Sequence, residues 1–150
     1  MRDKQFVAEH RGGNLSLTEH RLLMKWAVDC VKHIFPLIEE DIDQRLNDAL
    51  RVAKEWENGG VKVGDARKAS LAAIAVANES NNQTIIYAAR SVGHAVATAH
   101  MADHSIVAAE YALKVVKTVG LSVEDERKWQ DEQIAAEIKD FVLSFRNRTV

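Results

Sequence analysis

Along most of the chain, apolar residues recur every three or four positions, the spacing that gathers them on one side of an α-helix. The first such run carries Leu23, Ala27, Cys30 and Ile34 on one face, with Trp26 beside them. Ser16-Leu17-Thr18-Glu19 precedes it in capping-box order, so Ser16 is expected to cap the helix while Glu19 reaches back to the cap's own N–H. Pro36 disfavours helical geometry at Phe35, and the helix stops or kinks there. A second run opens behind Asp43 as N-cap. It keeps Leu46, Ala49, Leu50, Ala53 and Trp56 apolar among polar neighbours and ends at Asn58-Gly59-Gly60.

A third, alanine-rich helix is predicted to begin between Val63 and Ala66 and to run to Glu79, where Ser80-Asn81-Asn82 interrupts the pattern. The fourth covers roughly Gln83 to His100, with Ala89, Val92, Val96 and Ala99 as its best apolar row. Gly93 lies next to that row and is expected at a close helix crossing. Whether the fourth helix runs on through Met101-Ala102-Asp103 is left open by the pattern; Asp103 is a candidate cap for a fifth helix ending at Gly120. Ser122 followed by Glu124, Asp125 and Glu126 opens the last helix. Trp129, Ile134, Ile138, Phe141, Val142 and Phe145 supply its apolar face, and Arg146 and Arg148 fall near its C-terminal end. Residues 1–15 read as an irregular lead-in broken by Gly12-Gly13. No segment alternates with period two for long enough to make a strand. The expectation is an all-α fold, a single-domain bundle of about six helices over residues 1–150.

Composition narrows this picture. The 150 residues are 47% hydrophobic and 28% charged but only 6% aromatic. An alanine-rich, aromatic-poor core favours helices whose backbones approach closely. A net charge of −2 leaves no footprint for nucleic acid. The single Cys30 forbids an internal disulfide and fits a reducing compartment. The first ten residues lack the apolar run of a secretory signal, and no stretch approaches the roughly 18 uncharged apolar residues needed to span a bilayer. Cytoplasm is the expected location, without a membrane partner.

The most distinctive segment is residues 89–104, which holds His94, His100 and His104. On one helix, Tyr87, Ser91, His94 and Thr98 would form a polar stripe, with Arg90 one turn before His94. His100 and His104 are four apart and could share a face, with Asp103 adjacent. Two imidazoles at that spacing can hold Zn²⁺, which makes His100, His104 and His94 candidate metal ligands. Met101 stands where the H-E-x-x-H signature needs its glutamate, and nothing in the sequence identifies a third ligand. The alternative is a polar network at the crossing of alanine-rich helices, built from Arg90, Ser91, His94, Thr98, His100, Asp103 and His104. Cys30 with a histidine could form a nucleophilic pair. However, it sits in the apolar register of the first helix, where a free cysteine behaves as a small hydrophobe. No phosphate loop, dinucleotide fingerprint or G-x-S-x-G sequence occurs, so no catalytic residue and no cofactor are expected.

Two acidic runs remain, Glu39-Glu40-Asp41 with Asp43, and Glu124-Asp125-Glu126. Carboxylates at helix starts stabilise the macrodipole. The same groups would also suit a docking surface for a basic partner.

The order of motifs resembles the immunity proteins of bacterial toxin systems, specifically an all-helical, immunity-five-like group. The blocks that carry the resemblance begin with Arg11-Gly12-Gly13, His20-Arg21-Leu22-Leu23, Trp26 to Cys30 and Phe35-Pro36-Leu37. They continue with Trp56 and Gly59, Val63-Gly64-Asp65-Ala66-Arg67, and Ala89 through His100. His104, Ala108-Ala109, Tyr111-Ala112 and Glu126-Arg127-Lys128-Trp129-Gln130 complete them. The glycine-histidine-alanine segment around Gly93 is the most specific of these. Lys62 departs from the capping Ser or Thr expected before the third helix. The resemblance implies an α-helical protein that neutralises a cognate toxin by binding it inside the producing cell. A metal-binding or enzymatic helical protein, or an oligomeric scaffold, is the alternative.

Overall fold

The computed structural model describes residues 3–148. Seven α-helices follow one another among these residues. They are α1 (Leu17–Ile34), α2 (Gln44–Glu57), α3 (Val63–Glu79), α4 (Gln83–Ala97), α5 (His104–Thr118), α6 (Val123–Glu132) and α7 (Ala136–Arg148). No strand forms among the described residues; the only β feature is an isolated parallel bridge between Ala8 and Leu15.

Most helix starts follow from side-chain chemistry. Ser16 Oγ accepts the Glu19 N–H at 3.1 Å and Glu19 Oε1 accepts the Ser16 N–H at 2.9 Å, closing the capping box on α1. Asp43 Oδ1 takes the Arg45 N–H at the start of α2, and Ser122 Oγ takes the Asp125 N–H at the start of α6. Asn82, which ends the third periodic run, caps α4 by accepting from Thr84 and Ile85. At Lys62 an ammonium cannot accept a hydrogen bond. Only the return half of a box exists there, Asp65 Oδ2 accepting the Lys62 N–H at 3.0 Å. Gly59 ends α2 at φ +80°, a left-handed conformation that glycine adopts without steric penalty.

α1 ends at Ile34 and Phe35-Pro36-Leu37 follows as a 3₁₀ turn, so the chain leaves the α-helix before the proline as expected. Two later boundaries differ from the sequence reading. The fourth helix stops at Ala97 rather than His100, and residues 98–103 turn the chain into α5. Asp103 occupies the N-cap position of α5 without making a side-chain cap bond. The last run is two helices, making seven instead of about six. Trp129 and Ile134 are five residues apart, too far to share a face of one helix. Ile134, Ile138 and Val142 are all buried in a cluster with Trp26 and Cys30 while Trp129 stays half-exposed, so the chain breaks between them.

α4 packs against α1, α2, α3 and α5. Its buried residues are Ala88, Ala89, Ser91, Val92, Gly93, Ala95, Val96 and Ala97. Small side chains let polar groups span the crossings: Ser91 Oγ donates to Ala108 O at 2.8 Å, and Ser70 Oγ donates to Gly93 O at 2.9 Å. A second cluster joins α1, α5 and α7 to the lead-in. Phe6 stands edge-on to Phe141 and Phe145, with ring centroids 5.4 and 5.1 Å away. Residues 3–15 are therefore tied down, as 3₁₀ turns with Phe6 and Leu15 in the core.

Arg146 lies in the last turn of α7, where the sequence reading put it, and its side chain is buried there, 1% exposed. Nη1 donates to Asp131 Oδ1 and Nη2 to Gln130 Oε1, each at 2.7 Å, and the guanidinium lies 5.3 Å from the Trp26 ring. Trp26 Nε1 in turn donates to Gln130 O at 2.8 Å. A planar cation satisfied on several sides is tolerated in such a place where a lone charge is not.

The α3–α4 crossing gives the first prediction. A Cβ on Gly93 would lie 2.6 Å from Ile74 Cδ1 and 3.5 Å from Ser70 O. Gly93→Ala needs only the flexible end of Ile74 to yield, whereas Gly93→Leu forces the helices apart. The leucine variant should be less stable by about 1–3 kcal/mol and the alanine variant far less affected. Urea midpoints of the three proteins measure this; equal midpoints for wild type and Gly93→Leu would mean the crossing is open.

Candidate functional site

α4 and α5 run antiparallel, and their outer seam gathers most of the distinctive segment. Thr84 Oγ1 meets Thr118 Oγ1 at 2.8 Å at one end. Tyr87 lies beside Tyr111 in the middle, with centroids 6.0 Å apart. His94 Nδ1 lies 2.9 Å from His104 Nδ1 at the other end. One imidazole must donate a proton and the other must offer a lone pair, so this bond requires that the two nitrogens share a single proton. His94 also stacks on Tyr111, 5.4 Å between centroids and 12° between planes.

The expected polar network divides into layers. Ser91 and Thr98 are buried beneath the seam: Ser91 is bonded to Ala108 O, and Thr98 Oγ1 donates to His94 O at 3.2 Å. Arg90, His94 and His104 are half-buried along it. His100 and Asp103 lie in the turn between the helices, so His100 and His104 do not share a helical face, although their rings remain 5.5 Å apart. No three His, Cys, Asp or Glu side chains among the described residues are placed to hold a metal ion. The Nδ1 atoms of His94 and His104 are instead engaged with each other.

His20, which the sequence patterns did not single out, is the best-buried histidine with a defined partner. Its Nε2 donates to Thr98 O at 2.5 Å, and its ring stands edge-on to Trp56 at 4.8 Å, joining α1 and α2 to the end of α4. Burial lowers its pKa against the opposing effect of that hydrogen bond. Burial likewise pulls His94 down to about 4, helped by the neighbouring His104 and Arg90. Burial pushes the Cys30 thiol well above its ordinary range, which makes it an inert core group. His33, one turn along from Cys30, is engaged elsewhere. Its Nδ1 meets Glu126 at 2.6 Å and its ring stacks on Trp129 at 3.5 Å and 7°. No hydrogen bond pairs the thiol with a base among the described residues.

Both acidic runs are joined to one apolar cluster, since Ile38 precedes the first and Val123 the second. Val123, just before the second run, packs on the cluster of Ile34, Ile38, Val115 and Val116. Glu39 and Glu40 line a cavity of about 330 Å³ with Leu37, Ile38, Ile85 and Val119. Some of the carboxylates have internal work. Asp43 caps α2 and pairs with Arg45, which also holds Glu79. Glu126 meets His33, and Glu40 accepts from Asn82 at 3.3 Å. Glu39, Asp41, Glu124 and Asp125 are exposed, and so are Val119 at 39% and Leu121 at 55%. No ion pair holds these four carboxylates among the described residues.

The fold and these surfaces define an all-helical protein whose distinctive residues knit helices together or face outward. No helix among the described residues is long and apolar enough to cross a membrane. Residues 13–137 match the family described as Imm-5 like putative immunity protein, and the chain belongs to that family. Neither a curated protein nor a solved structure matches it.

Both depressed histidines make stability depend on pH. A histidine held neutral in the folded protein takes up its proton more readily when unfolded, so acid favours unfolding. Stability should be full above about pH 6.5, the ordinary histidine value, and fall as pH drops from there towards the His94 value of about 4. The slope between pH 6.5 and 5, above most carboxylate titration, should shrink in His94→Gln. Urea midpoints across that range test it, and a flat wild-type profile would refute it.

Proposed function

We propose that this protein neutralises a bacterial toxin by direct, stoichiometric binding in the cytoplasm of the cell that makes the toxin, without turnover. Membership of the immunity family over residues 13–137 carries the reading. The surface supports it with a place to bind. Val119 and Leu121 are exposed apolar groups, Val119 lines one cavity with Glu39, and Glu39, Asp41, Glu124 and Asp125 are exposed carboxylates with no ion pair among the described residues. A basic toxin domain would be steered to these carboxylates by charge and held by apolar contact. Rim charges act chiefly on the rate of encounter, buried contacts on the rate of escape.

The test uses the toxin domain encoded beside this gene. Wild type should form a 1:1 complex with it and rescue growth when both are expressed. Reversing Glu39, Asp41, Glu124 and Asp125 to lysine should slow association by about tenfold or more at low salt and flatten its salt dependence. Leu121→Asp should speed dissociation. Failure of every neighbouring toxin to bind would overturn the proposal, and unchanged association of the charge-reversed variant would remove these carboxylates from the docking face.

A further inference from the structure

The α4–α5 seam has the opposite chemistry from the acidic runs. α4 contains no Asp or Glu, and α5 contains only Glu110, which is turned towards Arg127 and Arg146. The cations on the seam are Arg90 and Lys114. Lys114 Nζ lies 5.4 Å from the Tyr87 centroid and 5.1 Å from that of Tyr111; Arg90 Cζ lies 6.0 Å from Tyr111. Neither cation has a carboxylate partner among the described residues, unlike Arg45, Arg127 and Arg146. The tyrosine hydroxyls likewise make no hydrogen bond among those residues. The seam therefore presents N–H and O–H donors and lacks an acceptor of opposite charge.

We propose that this seam binds a carboxylate-rich segment of a protein partner, with Arg90 and Lys114 meeting the carboxylates and the Tyr87 and Tyr111 hydroxyls adding neutral donors. Holding the two cations against aromatic rings restricts their freedom before binding, so less is lost on contact. The rings themselves are poor platforms for nucleic-acid bases. Tyr111 is stacked with His94 and crowded by both cations, whereas base binding needs open ring faces. A net charge of −2 also opposes a polyphosphate chain. Thr84 and Thr118, at one end of the seam, line the same cavity as Glu39 and Glu40, whereas Tyr87, Arg90, Tyr111 and Lys114 do not, so the proposed contacts use residues other than the toxin-docking ones.

An aspartate- and glutamate-rich peptide is the probe, with a length-matched lysine-rich peptide and a single-stranded oligonucleotide as the other arms, at low salt. Titration followed by nuclear magnetic resonance should show saturable shifts at Tyr87, Arg90, His94, Tyr111 and Lys114 with the acidic peptide alone. Arg90→Gln with Lys114→Gln should weaken binding by about tenfold, the loss expected of two exposed ion pairs. The exposed Lys114→Glu substitution supplies an independent variant if the double one is unstable. Glu39→Lys should leave the affinity unchanged. Absence of saturable binding, equal binding by the double variant, or tighter binding of the oligonucleotide at the same residues would each overturn the proposal.

Discussion

The close approach of α4 to its neighbours is the constraint from which the rest of the structure follows. α4 packs against four other helices through alanines, Ser91, Gly93 and the valines Val92 and Val96. Small side chains place helix backbones near enough for hydroxyls to reach carbonyls across the crossing, as Ser70 and Ser91 do. They also leave little volume with which to repack, since an interior near crystal density has no slack. The aromatic and charged groups of α4 and α5 lie instead along the seam. There Tyr87, Arg90, His94, His104 and Tyr111 form a half-buried row outside the core. The surface chemistry of the seam thus rests on the packing beneath it.

The part of this legible in the sequence is the part set by local rules. Ser16, Asp43 and Ser122 cap the helices expected of them because a cap needs only a short polar side chain and the next turn. Gly93 could be placed at a crossing because a glycine within an alanine-rich helical row has few other uses. The break between α6 and α7 was harder to see. Residues 133–135 contain neither glycine nor proline, and the helix ends because Trp129 and Ile134 are drawn to different neighbours. The burial of Arg146 was illegible for a related reason. A terminal arginine fits the helix dipole in any sequence, and only the folded chain brings Gln130, Asp131 and Trp26 around it. The histidines show the same limit. Spacing suggested that His100 and His104 share a face, but the turn after Ala97 removes His100 from the helix and gives His104 to His94 instead.

The family match and the packing divide the chain in different places. Residues 3–12 and the helical turns beyond residue 137 lie outside the matched span, yet they pack on each other. Phe6 contacts Phe141 and Phe145, and Arg148 Nη2 meets Asp3 Oδ2 at 2.6 Å, with side chains at the two ends of the described chain closing one contact. Together they cover Trp26, Cys30 and Ile134. Such a clasp joins segments far apart in sequence, so its loop-closure cost is met only once the helices between are in place. It stiffens a scaffold whose central helices already fit.

Stiffness bears on how such a protein can act. A surface that must hold a partner gains affinity when its groups need no rearrangement, because ordering them on contact would cost free energy. Here the acidic run at residues 39–43 is fixed at one side by the Asp43 cap and at the other by the buried Ile38. The run at residues 124–126 begins a helix capped by Ser122 and is pinned by the Glu126–His33 contact. The carboxylates that serve internally are those that hold the exposed ones in position. Carboxylates that lack a partner within the protein steer an oppositely charged surface before any contact forms.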